Sequence, residues 1–185
     1  MTGNGLPDLI AKAFEAACDA DGMKEFLEGT IGFFGAQQGA ILISPLQAPT
    51  DILTIAVGIA PERIQEQFTA REQADSVFGR IMALRPGDAT VRNGAGGNSK
   101  QDTRHLLGGL VTVDEHNLCI MALWRQADHP PFSEPERETL CALIGYFRRA
   151  IDVNKRFVHI YTQHENAVAV LDQAPRAVII LDQNG

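Results

Sequence analysis

Cysteine is scarce in this sequence: three residues, Cys18, Cys119 and Cys141, widely spaced and odd in number. No Cys-x-x-Cys pair and no Cys/His cluster occurs, so neither a disulfide framework nor a zinc site is indicated, and a reducing cytoplasm fits. Long apolar runs are missing too. None reaches the roughly 18–20 residues that a bilayer span requires, so no membrane partner is expected. Met1 to Asp8 lacks the basic and apolar stretches of a secretory signal. Positive charge is in short supply, with 16 Lys and Arg against 23 Asp and Glu and a formal charge of −7. Such a chain repels phosphate backbones, so these residues are not expected to grip nucleic acid themselves.

Catalytic spacings are absent as well. His105, His116 and His129 fall in or near loops with no HxH or HExxH arrangement, so no metal site is expected. Cys119 lies in an apolar strand-like run and reads as a small buried residue rather than a nucleophile. Gly94-Ala-Gly96-Gly97 lacks the preceding strand and the following Lys and helix of a phosphate loop, and reads as surface loop. His164-Glu165 on a helix is the arrangement of a phosphoacceptor box without the Arg and Pro that continue one, so it reads as an ordinary linker histidine. No catalytic set and no cofactor are expected, and an enzyme is the least favoured class.

What is present is a globular composition. Over 185 residues, 45% are hydrophobic and 21% charged, enough apolar material for one domain of ordinary size and an appendage. Leu6, Leu9, Ile10, Ala13, Phe14 and Ala17 share a helical face, predicting a helix from Leu6 to Asp19. A second helix is expected from Met23 to Gln37, where Gly29, Gly32 and Gly35 recur every three residues and suggest close approach to a neighbour or a broken helix. GAILIS (39–44) and ILTIAVG (52–58) read as a β-hairpin across a Pro-rich turn. Helices follow, one opened by Pro61 and one over Gln73 to Leu84. Arg85 to Arg104 reads as a loop with a short edge strand near Thr90. LLGGLVTV (106–113) and LCIMALWR (118–125) give the strongest hairpin signal, so the fold class is α+β, an antiparallel sheet with helices on both faces.

From Ser133 the pattern turns helical and stays so. Ser133-x-x-Glu136 has the form of a capping box. A helix from Glu134 to Asp172 would be about 60 Å long at ~1.5 Å per residue, too long to stay within the domain. Stepping alternately by four and three from Leu140 reaches Ile144, Phe147, Ile151, Asn154, Val158, Tyr161, Glu165 and Val168. Seven of the nine positions are apolar, which predicts a homodimer seam with Asn154 fixing the register. The competing reading packs Leu140 to Ile151 on the chain's own sheet and leaves the rest as linker. After Pro175, RAVIILD and the turn signal Gln183-Asn184-Gly185 read as a strand whose partner lies further on.

Three strings carry a resemblance. Ala122-Leu-Trp-Arg125, Pro131-Phe-Ser-Glu-Pro-Glu-Arg137 and Arg148-Arg-Ala150 are similar to the end of the sensor domain in bacterial LuxR-type transcription regulators, although Gly145-Tyr146-Phe147 stands where that family often has Pro-His. The order of elements before them resembles a GAF domain. Residues 167–185 resemble the opening of a PAS domain. The resemblance implies a GAF-like sensor domain over 1–150, a dimerising linker helix over 151–172 and the start of a PAS-like domain over 173–185. It places any DNA-binding part beyond Gly185. It also implies a small-molecule pocket walled by Phe68, Phe78, Met82 and Met121, the competing reading being a packed core without ligand. The implied function is signal sensing for a transcription regulator. A sensor module of a histidine kinase or cyclic-nucleotide enzyme is the first alternative, and a ligand-free dimerisation scaffold the second.

Overall fold

The computed structural model describes residues 5–17, 20–46, 52–70, 76–94, 104–114 and 117–172, and the side chains of all these except 20 and 157–172. Residues 173–185, where the PAS-like start was expected, lie outside the described residues, as do Cys18, His116 and the Gly96-Gly97 pair. The chain divides into two compact units, Met1–Ile151 and Asp152–Gly185.

In the first unit the described strands are β1 (Gln38–Pro45), β2 (Leu53–Val57), β3 (Ala89–Arg92), β4 (His105–Val113) and β5 (Asn117–Arg125). They form one antiparallel sheet in the order β2-β1-β5-β4-β3. The helices are α1 (Leu6–Ala16), α2 (Ala20–Phe33), α3 (Pro61–Thr69), α4 (Val77–Met82) and α5 (Glu134–Asp172). The α+β class with helices on both faces and a long terminal helix is what the molecule has.

β5 shows why two helical layers are needed. Successive side chains of a strand point to opposite faces. Cys119, Met121 and Leu123 join a core with Leu9, Phe26 and Leu27 of α1 and α2 and Leu140, Leu143, Ile144 and Phe147 of α5. Leu118, Ile120, Ala122 and Trp124 join the other core, with Ile64 and Phe68 of α3 and Phe78 and Ile81 of α4. Each large side chain fully buried in this way stabilises the fold by about 1.5–3 kcal/mol before entropy is set against it. A bulge between Leu110 and Thr112 lets β4 keep its register with β5 along its length.

The helix ends follow local chemistry. α2 stops at Gly35, whose φ of 58° is the left-handed conformation that closes a helix, while Ala36 N–H donates back to Ile31 O at 2.9 Å. Gly32 has open space beside it, so the expected close approach along the glycine triplet is not made there. α4 is shorter than predicted because Ser76 caps it, its hydroxyl accepting from Gly79 N–H at 2.9 Å. The capping box at α5 forms as read: Glu136 Oε2 accepts from Ser133 N–H and from its hydroxyl, both at 2.7 Å.

The apolar stripe of α5 has a different destination from the seam expected of it. Leu140, Ile144 and Phe147 are fully buried in the single chain, and the Phe147 ring lies 4.9 Å from that of Phe26. A side chain with no surface left has none to offer a second copy, so these three positions belong to the intrachain core. Ile151 is partly buried against the same cluster. Asn154 is half-buried, and the side chains of Val158, Tyr161 and Val168 lie outside the described residues.

Candidate functional site

The four residues expected to wall a pocket are not brought together. Phe68 and Phe78 meet edge to face, ring centroids 5.6 Å apart, beneath α3 and α4. Met121 lies on the opposite face of the sheet, among the side chains of α1, α2 and α5. Met82 is 38% exposed. Both placements have a geometric cause. Met121 is one residue out of phase with Ile120 and Ala122, and Met82 follows Ile81, which takes the inward position on α4.

On the α3/α4 side a row of partnered residues crosses four strands: Gln38, Trp124, Leu106 and Arg92. Trp124 is completely buried. Among the described residues its indole N–H has no hydrogen-bond partner. The guanidinium carbon of Arg104 sits 5.6 Å from the Trp124 ring centre, and Arg104 Nη1 donates to Gln38 Oε1. A cation over an indole is held by the ring quadrupole. On α3, Gln67 Oε1 is likewise buried, with no hydrogen-bond donor among the described residues.

The next residue, Arg125, points to the other face and is 8% exposed. Its Nη2 donates to Phe34 O at the end of α2 and to Glu136 Oε1 at 2.5 Å in the first turn of α5. Its Nη1 donates to Pro130 O at 2.9 Å, and its guanidinium carbon lies 3.9 Å from the centre of the Phe132 ring. One side chain therefore ties the end of the central strand to the end of α2 and the start of α5. Arg125 belongs to the string that carries the resemblance, which gives it no role. The available signal was an arginine closing an apolar strand a few residues before a capping box.

Burial pushes the Glu136 carboxyl up, but the Ser133 N–H, the Ser133 hydroxyl and the Arg125 guanidinium together outweigh it and hold the group below its ordinary value of 4.5. A carboxylate depressed in the folded state binds fewer protons there than in the unfolded chain. Its contribution to stability is therefore complete above the unfolded pKa and is lost as pH falls through the folded one. Glu136→Gln should weaken the protein most at neutral pH, and the difference from wild type should shrink in urea melts taken progressively below pH 4.5.

Among the described residues no group of three His, Cys, Asp or Glu could hold a metal ion. Cys119 is buried, and His105 Nδ1 accepts from Gly94 N–H at 3.1 Å. No described helix is long and apolar enough to cross a membrane.

No protein-family model matches the chain. No curated protein matches it significantly in sequence. Solved structures do match. The N-acylhomoserine lactone dependent LuxR family transcription factor CepR2 of Burkholderia cenocepacia aligns over 78% of this chain and 92% of its own, with 14% identity and a TM-score of 0.54. The GAF domain of an Acinetobacter phosphoenolpyruvate-protein phosphotransferase aligns over 83% and 97%, with 12% identity and a TM-score of 0.55. The GAF domain of a Pseudomonas syringae pv. tomato protein assigned as a sensor histidine kinase aligns over 85% and 92%, with 14% identity and a TM-score of 0.50. Identities this low speak for architecture alone, and the architecture is GAF-like: a five-stranded antiparallel sheet between two helical layers.

Proposed function

We propose that this chain is a signal-sensing and dimerising region of a bacterial cytoplasmic transcription regulator, acting by binding and conformational change rather than catalysis. The carrying observation is the adjacency of Trp124 and Arg125. One faces the α3/α4 side, where a ligand would be felt, and the other holds α5, the element that continues past Ile151. A shift at the end of β5 reaches the first turn of α5 through one peptide unit, and a helix pair with two arrangements converts that shift into a signal. DNA contact is left to residues outside this chain. The fold shared with the LuxR family factor supports this reading. The alternative, a sensor module of a signalling enzyme, is favoured by the two GAF neighbours.

Dimerisation is part of the proposal. On α5, Tyr146 and Val153 are each 41% exposed, apolar surface that the intrachain core of Leu140, Ile144 and Phe147 does not use. Sedimentation velocity of the chain should give a dimer at tens of micromolar. Val158→Asp should give a monomer with an unchanged melting temperature for the sheet domain. A wild-type monomer would remove the helix-pair mechanism.

A further inference from the structure

β4 carries Gly108 and Gly109 side by side, and successive positions of a strand look to opposite faces of the sheet. Each face therefore has a notch at the same place, and both notches are filled. On the α4 side, a Cβ at Gly108 would stand 2.6 Å from Cδ1 of Ile81. On the α5 side, a Cβ at Gly109 would collide with Cδ1 of Ile144. Both isoleucines are fully buried. Small strand neighbours keep the notches open, Ala122 opposite Gly108 and Ala89 opposite Gly109. The two glycines put no side chain between the helical layers that could absorb a displacement. α5 is also fastened over this place. Arg137, Ile144 and Arg148 share one helical face. Arg137 Nη1 donates to Ala89 O at 3.3 Å, and Arg148 Nη1 donates to Pro86 O at 3.2 Å. The segment that leads from α4 into β3 holds both carbonyls and has little slack. Within it Leu84 N–H donates to Ile81 O and Asp88 N–H to Arg85 O, while Gly87 N–H donates to Leu110 O of β4. Ile144 is thus held over Gly109 between two anchors.

We propose that α4 is the element whose position α5 reads, through a contact relayed across the sheet from Ile81 to Ile144 by the Gly108–Gly109 backbone. The inference deepens the sensor reading above by naming the helix that a bound signal must displace. The coupling itself is measured without a ligand, so either reading can fail alone. Protein interiors pack as densely as organic crystals and pass strain on to their neighbours. A small shift of Ile81 therefore presses on one thin strand, and Ile144 rests on the other side of it. α3 makes the comparison. Its Ile64 lies in the same core cluster as Ile81, but the atoms nearest the Gly108 notch come from Ile81 and Met121.

The full chain is labelled at its isoleucine δ1 methyls and followed in 1H–13C spectra at neutral pH. Ile81→Val deletes the methyl that fills the Gly108 notch and should move the Ile144 peak. Ile64→Val is an equal deletion from the same core and should leave that peak in place. Urea melts of Ile81→Val, Ile144→Val and the pair then close a double-mutant cycle. The unfolding constant of the double variant should depart from the product of the single effects by about twofold or more, whereas side chains without a shared partner act additively. An unmoved Ile144 peak would overturn the proposal. So would a peak moved equally by Ile64→Val, because the core would then respond as a whole. A moved peak with additive energies would overturn it too, since α5 would feel α4 without being biased by it. None of these failures touches the dimer, which sedimentation tests separately.

Discussion

Replacing Arg125 with methionine should lower the free energy of unfolding by about 3 kcal/mol, because it leaves the buried Phe34 carbonyl without its donor and the partly exposed Glu136 carboxylate without its counter-ion. Methionine keeps much of the aliphatic stem over Phe132 but gives no donor to Phe34 O, Pro130 O or Glu136. The loss falls on backbone carbonyls as well as on the carboxylate, which is why it should exceed that of a surface ion pair. Arg125→Lys should recover only part of the stability, since an ammonium cannot serve these separated acceptors with a planar fork. Urea melts give the answer: the midpoint falls while the slope stays unchanged if the native contact surface is otherwise kept. A change under about 1 kcal/mol would mean that solvent replaces the guanidinium freely.

Gly109→Ala should cost about 1–3 kcal/mol through overpacking where α5 crosses β4. A Cβ at Gly109 would overlap Ile144 Cδ1 and stand 2.9 Å from Asp88 O, a backbone atom with little room to retreat. The test includes its own rescue. Ile144→Val removes the obstructing methyl at a cost of about 0.5–1.5 kcal/mol alone. Combined with Gly109→Ala it should be less destabilising than the sum of the two, by a coupling of about 0.5–3 kcal/mol. Additive losses would place the strain at Asp88 O instead.

These two sites mark how far the sequence could be read. The limits of α5 were legible because a capping box opens it and helical periodicity continues to Asp172. The sheet was legible because its strands are short apolar runs separated by turn residues. Face assignment was not. In LCIMALWR nearly every position is apolar, so alternation leaves no trace, and Met121 could be placed beside Phe68 although their faces are opposite. The heptad stripe was ambiguous for a related reason. An apolar row on a helix looks the same whether it covers its own sheet, as Leu140, Ile144 and Phe147 do, or a second chain. Periodicity alone makes α4 too long, because Ser76, whose hydroxyl caps the helix, sets its start. Trp124 and Arg125 belong to one resembling string, but that they face opposite sides of the sheet appears only when strand parity is known.

The strand order has a consequence for how the protein is made. Of the five strands of this sheet, β5 is the last to leave the ribosome and the one in the middle. Until it emerges, β1–β2 and β3–β4 are separate ribbons, each with a bare edge waiting for the same missing piece. Nascent chains halted before Arg125 therefore expose two sticky borders at once, and chaperones will meet them there.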